Sequence, residues 1–490
     1  MLNSSEIRFS SLSDLSEMLS GEKASSEEIT KAFLNLAEKE NENIGAFLTI
    51  APEQAIASAR ESDKRRSRGA PLSHFDGIPI ALKDVFVTKG MRTTCSSKML
   101  ENYIPPYDGT VVEKLKNMGF IIFGKLSMDE FAMGTSNEHS AFGPVKNPWD
   151  LARTPGGSSG GSAAAIAAGL TPVSLGTDTG GSVRLPAAYC GIVGLKPTYG
   201  RISRYGVVAF ASSLDQVGPM TRNVSDCAAM LSAIAGYDPK DSTSIPGDLP
   251  NYHSLLSGKI DGLRIGIPSE FFSGGIDDEV RSSIENAIKT CEKLGAKTVS
   301  ISLPHAKYAV PCYYIIATAE ASSNLARYDG IRYGFSAKRN LSLDDLMKAS
   351  RTAGFGPEVS LRIIVGTYVL SSGYYDAYYL KAQKVRTLIK EDFFDAFKKC
   401  DLIMSPTSTS CAFKLGERSD DPVQMYLNDI FTSPVNLSGL PGMSIPCGFS
   451  REGLPIGLQI IGRPLDEGRM LNVAYAYEQT TEWKTRRPPI

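Results

Sequence analysis

Two glycine- and serine-rich stretches are the part of the sequence that most clearly suggests chemistry. The first, RTPGGSSGGSAAAIAAG at residues 153–169, continues into an alanine-rich helical segment. This composition is typical of flexible linkers, of loops that bind a ligand with backbone N–H groups, and of loops that bring a serine hydroxyl into a reaction. Within it, GSSGG matches the G-x-S-x-G pattern of serine hydrolases, with Ser159 as the nucleophile. The choice among these interpretations depends on which residues could activate a serine.

A histidine is poorly placed to activate this serine. Of the four histidines in the chain, only His253 and His305 follow Ser159, and both are in polar or proline-flanked segments. A neutral lysine can accept the same proton if burial lowers its pKa toward the working pH. Lys83 ends the apolar segment GIPIALK, which reads as a buried strand. Two interpretations stay open for it: a desolvated base, or a lysine that reaches the surface at a strand end and pairs with Asp84.

The second stretch, SLGTDTGGSVRLPAAYCG at residues 174–191, contains a turn of small residues. Such a turn can direct consecutive N–H groups toward one point while it exposes a serine hydroxyl, which is the geometry of an oxyanion hole. An ordinary tight turn between two buried segments would have the same composition. The residues of this turn are Thr179, Gly180, Gly181 and Ser182.

A third motif, GFIIFGKL, has the spacing of a phosphate-binding loop at Gly119, Gly124 and Lys125. Leu126 follows instead of serine or threonine, and the residues between the glycines are bulky and apolar, whereas a phosphate loop needs small residues with free N–H groups. The pattern therefore favours a buried strand over residues 119–125. A non-catalytic module that binds a nucleotide or phosphate with the Gly/Ser loops is kept as an alternative function.

Composition indicates a folded protein without a membrane segment. The chain has 490 residues, 42% hydrophobic and 21% charged, and its formal net charge of -1 argues against a broad basic face for nucleic acid. No run of about 18 apolar residues and no signal peptide is apparent, so neither a membrane span nor secretion is expected. The eight cysteines are scattered without a C-x-x-C pair, which predicts reduced thiols, no metal site and a cytoplasmic location.

Helical and strand patterns alternate along the chain and must position these motifs. A capping box at Ser25 and Glu28 begins a helix near the N-terminus, and residues 374–400 read as a long amphipathic helix. KRRSRGAP at residues 64–71 reads as a basic loop, and residues 237–260 read as a long surface connection. This alternation predicts the α/β class, with a sheet covered by helices on both faces.

The segments PGGSSGGSAAAIAAG, GTDTGGSVRLPAAYCGIVGLKPTYGRIS and LDQVGPMTR resemble the amidase signature family. The resemblance implies the amidase signature fold, an α/β fold built on a large mixed and twisted sheet. It also implies a Ser–Ser–Lys triad in which Ser182 is the nucleophile, Ser158 relays the proton and Lys83 is the base. The peptide bond between Gly157 and Ser158 is then expected to be cis.

The same resemblance implies roles for other residues of the two loops. The N–H groups around Thr179, Gly180 and Gly181 are expected to form the oxyanion hole. Ser159 is expected to hydrogen-bond within the triad network. Apart from the resemblance, the serine that begins SAAAIAAG, Ser162, is expected to cap the helix that follows the first loop.

Outside these motifs, segments such as LSMDEFAMGTSNEHSAFGPVKNPWD and PVNLSGLPGMSIPCG are similar to the glutaminase subunits of tRNA-dependent amidotransferases. The similarity implies hydrolysis of glutamine to glutamate and ammonia. The ammonia would pass to a partner B subunit that uses ATP and Mg²⁺ to convert Glu-tRNA(Gln) to Gln-tRNA(Gln), and a small C subunit would join the glutaminase to this partner in a heterotrimer. This chain itself would hold no cofactor or metal. A stand-alone amidase acting on a small amide is the alternative within the same chemistry.

Three residues in the second half of the chain are implied to bind glutamine. Arg362 would hold the α-carboxylate through two parallel hydrogen bonds, and Asp429 would hold the α-ammonium. Tyr313 would donate a hydrogen bond near the amide, although the adjacent Tyr314 could take that place. An ordinary ion pair between Arg362 and Asp429 is the alternative that does not involve a ligand.

One domain is expected over residues 1–490. It would begin with a helical segment at about 1–70, followed by the signature core at about 71–235. After the variable connection at about 237–260, residues 261–490 would supply the rest of the sheet and the glutamine-binding region.

Overall fold

The computed structural model describes residues 7–337, 340–418 and 422–490. Eleven strands within these residues form one mixed sheet, which confirms the predicted α/β class. In chain order the strands are β1 Phe47–Ile50, β2 Pro79–Lys83, β3 Ile121–Leu126, β4 Ser174–Asp178, β5 Val193–Lys196, β6 Gln216–Thr221, β7 Arg264–Pro268, β8 Lys297–Ile301, β9 Leu402–Pro406, β10 Gly442–Phe449 and β11 Pro455–Ile461. The α-helices are α1 Leu12–Ser20, α2 Ser26–Ile44, α3 Pro52–Ser67, α4 Thr110–Asn117, α5 Gly160–Ala167, α6 Arg184–Cys190, α7 Val224–Ile234, α8 Asp278–Lys293, α9 Ala309–Leu325, α10 Leu343–Gly354, α11 Pro357–Leu370, α12 Lys381–Ala396, α13 Pro422–Leu427, α14 Ser433–Leu437 and α15 Glu467–Gln479.

The order of the strands brings the ends of β2 and β4 to one edge of the sheet. Across the sheet the strands follow the order β1-β3-β2-β4-β6-β5-β10-β11-β9-β7-β8. The triplets β3-β2-β4 and β8-β7-β9 are parallel, and the other neighbours are antiparallel. Because β2 and β4 run in the same direction, Lys83 at the end of β2 lies at the same edge as the turn that follows Asp178 at the end of β4.

Two elements form as their sequence patterns predict. The hydroxyl of Ser25 accepts the N–H of Glu28, and the Glu28 carboxylate accepts the N–H of Ser25, so a capping box begins α2. The apolar residues of the motif at 119–126 form β3, in which every side chain is buried. A buried strand cannot wrap a phosphate, so the strand interpretation of this motif is confirmed and the phosphate-loop interpretation is wrong.

The structure differs from the predicted elements in three places. Residues 64–67 form the last turn of α3 rather than a loop, since the basic side chains there interact favourably with the helix dipole. Residues 374–400 are not one α-helix, because Tyr375–Leu380 form a π-helical turn before α12 begins. The segment predicted as helical, about 1–70, also supplies the edge strand β1.

The two Gly/Ser loops are packed into the interior of the molecule. Residues 154–190 are all buried, so neither loop is a flexible linker. The eight cysteines are free, and seven of them are buried. Within the ranges that the structure describes, no helix is both long enough and apolar enough to cross a membrane.

Candidate active site

Lys83 is buried at the end of β2 and surrounded by hydroxyl groups. Its side chain is completely inaccessible to solvent. The Lys83 Nζ atom lies 2.8 Å from Ser158 Oγ, 2.9 Å from Ser159 Oγ and 2.9 Å from Thr177 Oγ1. The interpretation of Lys83 as a lysine that reaches the surface is therefore wrong, and Ser159 joins the network as predicted.

The surroundings of Lys83 favour the neutral amine. Burial lowers the pKa of Lys83 to about 7, and the more distant carboxylates of Asp129, Asp178 and Asp215 oppose this shift only in part. A substantial fraction of the amine is therefore neutral near pH 7, which is the state that can accept a proton from a hydroxyl.

The loop before α5 delivers Ser158 to this amine. The peptide bond between Gly157 and Ser158 is cis, as the resemblance implied. Gly157 packs so closely that a methyl group there would overlap the Asp129 carboxylate. The Ser159 N–H donates to the carbonyl of Ser182 at 3.2 Å, which joins the first Gly/Ser loop to the second.

Ser162 does not cap helix α5, so that prediction is wrong. Ser162 lies inside α5, and its hydroxyl donates to the carbonyl of Leu175 on β4 at 3.2 Å. Ser159 occupies the N-cap position, but its hydroxyl makes no capping bond to the helix. The Ser159 hydroxyl instead contacts Lys83, so the site uses the group that would otherwise cap the helix.

The turn after β4 presents N–H groups without partners. In the part of the chain that the structure describes, the N–H groups of residues 179–182 donate no hydrogen bond. The turn is fixed through its other atoms, since Thr179 Oγ1 donates to Asp215 at 2.7 Å and Thr432 Oγ1 donates to the Gly180 carbonyl at 2.6 Å. Buried N–H groups without partners are rare, so this turn is suited to bind an anionic oxygen.

Ser182 follows these N–H groups directly. Its side chain is 7% exposed, and its hydroxyl makes no hydrogen bond with any described residue. Gly181 has a φ of +150°, and a methyl group there would overlap Thr432 Oγ1, so only glycine fits. The serine hydroxyl is thus held beside the free N–H groups without being engaged by the protein.

A buried ion pair anchors the same turn to the rest of the sheet. Asp178 Oδ1 lies 2.9 Å from the Arg184 guanidinium, and both side chains are fully buried. Burial alone would raise the pKa of Asp178, but Arg184 outweighs burial and holds it at about 2. Arg184 also donates to Gln459 on β11 at 2.7 Å and to Asn436 on α14 at 2.5 Å. The ion pair therefore connects the turn to two distant elements.

Tyr313 and Asp429 both lie against the turn, as a shared site requires. A methyl group on Gly180 would come within 2.6 Å of Tyr313 Cζ, and one on Gly181 would come within 3.0 Å of Asp429 Oδ1. Asp429 is 3% exposed, and its carboxylate accepts no hydrogen bond from the described residues. Burial raises the pKa of Asp429 well above its usual value. A bound ammonium group would supply the missing partner.

Arg362 is buried in an aromatic environment next to this pocket. Its guanidinium lies 5.3 Å from the centre of the Tyr314 ring and 5.6 Å from that of Phe210. Tyr313 and Tyr314 contact each other edge to face at 5.1 Å. Tyr313 therefore contacts the turn with Ser182, whereas Tyr314 supports Arg362. Arg362 forms its ion pair with Glu358, and the alternative of an ion pair between Arg362 and Asp429 is wrong.

The histidines lie in other interactions. His305 Nδ1 is 2.8 Å from Asp392, and His253 Nε2 is 3.0 Å from Ser225. Neither histidine contacts Ser159, so the structure places no Ser–His pair at the G-x-S-x-G motif. Among the described residues, no group of three or more His, Cys, Asp or Glu side chains is arranged to hold a metal ion.

Three further residues shape the site without belonging to the predicted set: Thr177, Asp215 and Glu358. Thr177 lies in β4 and Asp215 directly precedes β6, and both strands contain other polar residues, so nothing in the sequence distinguishes these two. Glu358 is four residues before Arg362, a spacing that pairs the two side chains on one helix face.

Comparison with known proteins shows the family to which this chain belongs. The profile of the family described as Amidase matches residues 28–471. The chain is 56% identical over 479 residues to the A subunit of glutamyl-tRNA(Gln) amidotransferase from Geobacter sp. (strain M21), covering 97% of this chain and 98% of that protein. A protein of the same name from Caldanaerobacter subterraneus subsp. tengcongensis is 58% identical over 477 residues, with 97% of each chain covered.

A solved structure extends the comparison to the fold. The crystal structure of the glutamyl-tRNA(Gln) amidotransferase A subunit from Thermotoga maritima is 41% identical and matches with a TM-score of 0.81, covering 97% of this chain and 95% of that one. The family profile and the full-length relatives lead to one conclusion: the chain belongs to the amidase signature family.

Proposed function

We propose that this chain is the glutaminase subunit of a tRNA-dependent amidotransferase that forms Gln-tRNA(Gln) from Glu-tRNA(Gln). The observation that carries the chemistry is the buried Lys83 amine, 2.8 Å from Ser158, at the sheet edge where the N–H groups of residues 179–182 have no partner among the described residues. The place of the chain in a larger enzyme rests on relatives that share 56–58% of their residues with nearly the whole chain.

The first half of the reaction forms an ester on Ser182. The Ser182 oxygen attacks the side-chain amide carbon of glutamine, its proton passes to Ser158, and the Ser158 proton passes to the neutral Lys83 amine. Negative charge that develops on the amide oxygen is bound by the N–H groups around Thr179, Gly180 and Gly181. Lys83 then returns its proton through Ser158 to the amide nitrogen as the carbon–nitrogen bond breaks, and ammonia leaves.

The second half releases glutamate by the same relay. A water molecule gives a proton to Lys83 through Ser158 as its oxygen attacks the ester carbon. The tetrahedral intermediate collapses, the Ser182 oxygen recovers a proton, and glutamate departs. The lysine must be neutral at the start of each half, which is the state that its buried position favours.

Glutamine is held by three residues from the second half of the chain. Arg362 binds the α-carboxylate, Asp429 binds the α-ammonium, and Tyr313 contacts the reacting end of the side chain. Support for these roles comes from the Asp429 carboxylate beside Gly181, which has no partner among the described residues, and from the Tyr313 ring against Gly180.

The other steps are assigned to two partner chains. In this proposal a B subunit binds ATP and Mg²⁺, activates Glu-tRNA(Gln) and receives the ammonia, and a C subunit joins the glutaminase to it in a cytoplasmic heterotrimer. No cofactor is assigned to this chain. This chain has a formal net charge of -1, which supports a tRNA-binding surface that lies mostly on the partner subunits.

The test replaces the nucleophile in the assembled complex. Ser182→Ala should abolish glutamine hydrolysis while the complex still assembles, and a glutamine analogue with an electrophilic warhead should label Ser182 in the unmodified chain. Ser225→Ala, a surface serine that contacts His253, is the matched control and should retain activity. Near-normal ammonia release from Ser182→Ala would show that another residue is the nucleophile.

The alternatives make different predictions for the chain without partners. A stand-alone amidase would hydrolyse simple aliphatic amides by itself, and its rate would not change when the two partner chains are added. A nucleotide-binding module would bind ATP in isolation and would be indifferent to Ser182→Ala. If ammonia release from glutamine requires the B and C subunits, both the stand-alone amidase and the nucleotide-binding module are excluded.

A further inference from the structure

Glu358 holds one edge of the Arg362 side chain. Both residues lie on α11, four positions apart, and Arg362 Nε donates to Glu358 Oε1 at 2.7 Å. The two side chains are 4% and 14% exposed, for Arg362 and Glu358 respectively, so the pair is screened from bulk water. The contact therefore fixes the guanidinium more firmly than a surface ion pair would.

The other donors of the Arg362 guanidinium are available. Neither Nη nitrogen donates a hydrogen bond to any residue that the structure describes. The flat faces of the group are occupied instead, by the rings of Tyr314 at 5.3 Å, Phe210 at 5.6 Å and Tyr426 at 6.0 Å. With its faces and its Nε edge in contact with protein, the guanidinium offers a ligand only the edge that carries the two Nη nitrogens.

We propose that Glu358 is a positioning residue that selects amides bearing an α-carboxylate, by leaving only the Nη edge of Arg362 for that carboxylate. A guanidinium can bind a carboxylate with two parallel bonds from either edge. Binding at the Nε edge would place the carboxylate elsewhere and would move the amide carbon away from Ser182. This inference rests on the proposed function, in which glutamine is the substrate. Glu358 then determines where the α-carboxylate binds and, through it, where the amide carbon lies relative to Ser182.

A purely structural role for Glu358 predicts a different result. Glu358 lies in the first turn of α11, where an acidic residue and a pair with the residue four positions later stabilise a helix slightly. Glu27 occupies the same place in α2 and pairs with Lys31 at 2.7 Å with the same spacing, and it also accepts two hydrogen bonds from Arg60 on α3, so its structural role is at least as large. Glu27→Gln is therefore a matched control, because it makes the same chemical change in the same helix position far from Arg362 along the chain.

The experiment compares two amides in the assembled complex. Glutamine is the first, and 4-aminobutanamide, which is glutamine with hydrogen in place of the α-carboxylate, is the second. It is followed both as a substrate and as a competitive inhibitor of glutamine hydrolysis. Glu358→Gln should lower kcat/KM for glutamine by about 10- to 100-fold, mainly through KM, since a hydrogen bond to a charged group is disturbed. The affinity for 4-aminobutanamide should stay near that of the unchanged complex.

Further variants keep the outcome decisive. In an Arg362→Met background, Glu358→Gln should cause no additional loss for glutamine, because the residue acts through Arg362. If Glu358→Gln fails to fold, Glu358→Asp should still reduce the preference for glutamine over 4-aminobutanamide. The inference is wrong if Glu358→Gln weakens the binding of both amides equally, or if its effect on glutamine is no larger than that of Glu27→Gln. Failure of the unchanged complex to hydrolyse glutamine would instead contradict the proposed function.

Discussion

Lys83 and Lys125 lie on neighbouring strands and are equally buried, but their side chains contact different groups. Lys83 ends β2 and Lys125 lies on β3, one position out of register in the parallel pair, and both side chains are completely buried. Lys83 contacts three hydroxyl groups and forms no ion pair with a described carboxylate. Lys125 pairs with Asp84 Oδ1 at 3.2 Å and also donates to the Phe86 carbonyl and to Thr93 Oγ1, both at 2.8 Å. Burial lowers the pKa of both, to about 7 for Lys83. The partners, and not the burial, distinguish a candidate base from a structural cation.

A third lysine shows that a lowered pKa is not sufficient either. Burial lowers the pKa of Lys196 to about 7, and the positive charge of Arg184 adds to that effect. Its amine donates to the carbonyls of Pro197 and Leu440, which have no proton to give. Only Lys83 among these three combines a lowered pKa with a hydroxyl in the loop that approaches Ser182.

The largest effect is expected when Lys83 is replaced by methionine. Lys83→Met should lower kcat for glutamine by about a thousand- to ten-thousandfold, because the relay loses its proton acceptor. The free energy of unfolding should not fall, since burying an amine without a carboxylate partner is unfavourable to begin with. Ammonia release and urea denaturation of the same preparation measure the two quantities.

Lys196→Met is the control for that variant. It removes a lysine of the same burial and similar pKa but should leave kcat close to that of the unchanged complex. If both variants lose activity equally, proximity to Ser158 is not what makes Lys83 essential.

The opposite pattern is expected at Lys125. Lys125→Met leaves Asp84 charged and buried without its partner, which should lower the free energy of unfolding by about 3–5 kcal/mol. The kcat of the molecules that remain folded should be nearly unchanged, because Lys125 does not contact Ser158. Urea denaturation measures the loss of stability, and activity per folded molecule measures kcat.

The double variant Lys125→Met/Asp84→Asn tests the reason for that loss. It should recover part of the lost stability, because the isolated charge is gone while the side chain at position 84 can still accept from Thr94. A double variant less stable than Lys125→Met would show that the charge of Asp84 is not the cause.

The sequence predicts the loops of the site better than it predicts their partners. The glycines and serines of the two loops are contiguous, so their motif and the resemblance locate Ser158 and the turn at Thr179–Ser182 directly. Glu28 likewise follows Ser25 at a fixed local spacing, and the capping box it predicts is present. Features encoded within a few consecutive residues can be inferred from the chain itself.

Partners from distant strands could not be predicted in the same way. Asp84 follows Lys83 in sequence but pairs with Lys125, because the parallel register of β2 and β3 brings the neighbouring strand closer. Thr177 reaches Lys83 only through the pairing of β2 with β4. Serine is a common N-cap residue, yet the Ser162 hydroxyl donates to the Leu175 carbonyl. Tertiary packing against β4 therefore outweighs the local preference of serine for a helix cap.

The pH dependence of turnover sharpens the comparison of the lysines. Lys83 acts in its neutral form, so kcat at saturating glutamine should fall about tenfold for each pH unit below about 7 and level off above it. Saturating substrate keeps Asp429 paired with the ammonium group, so its titration does not contribute. Stopped assays from pH 5.5 to 8.5, with folding followed by circular dichroism, give the profile. A kcat that is constant between about pH 5.5 and 7 would contradict a neutral lysine base.

The smallest effect is expected from a hydroxyl that touches Lys83 without relaying its proton. Thr177→Val removes the acceptor 2.9 Å from Lys83 Nζ at nearly constant volume. The ammonium form loses more than the neutral amine, so the pKa of Lys83 should fall and the midpoint of the pH profile should move to lower pH. At pH 8, kcat should drop by about 2- to 10-fold, the effect of one disturbed hydrogen bond. Thr93→Val removes the corresponding hydroxyl 2.8 Å from Lys125 and should leave the midpoint unchanged. Equal shifts in both variants would mean that the pH profile does not report on Lys83.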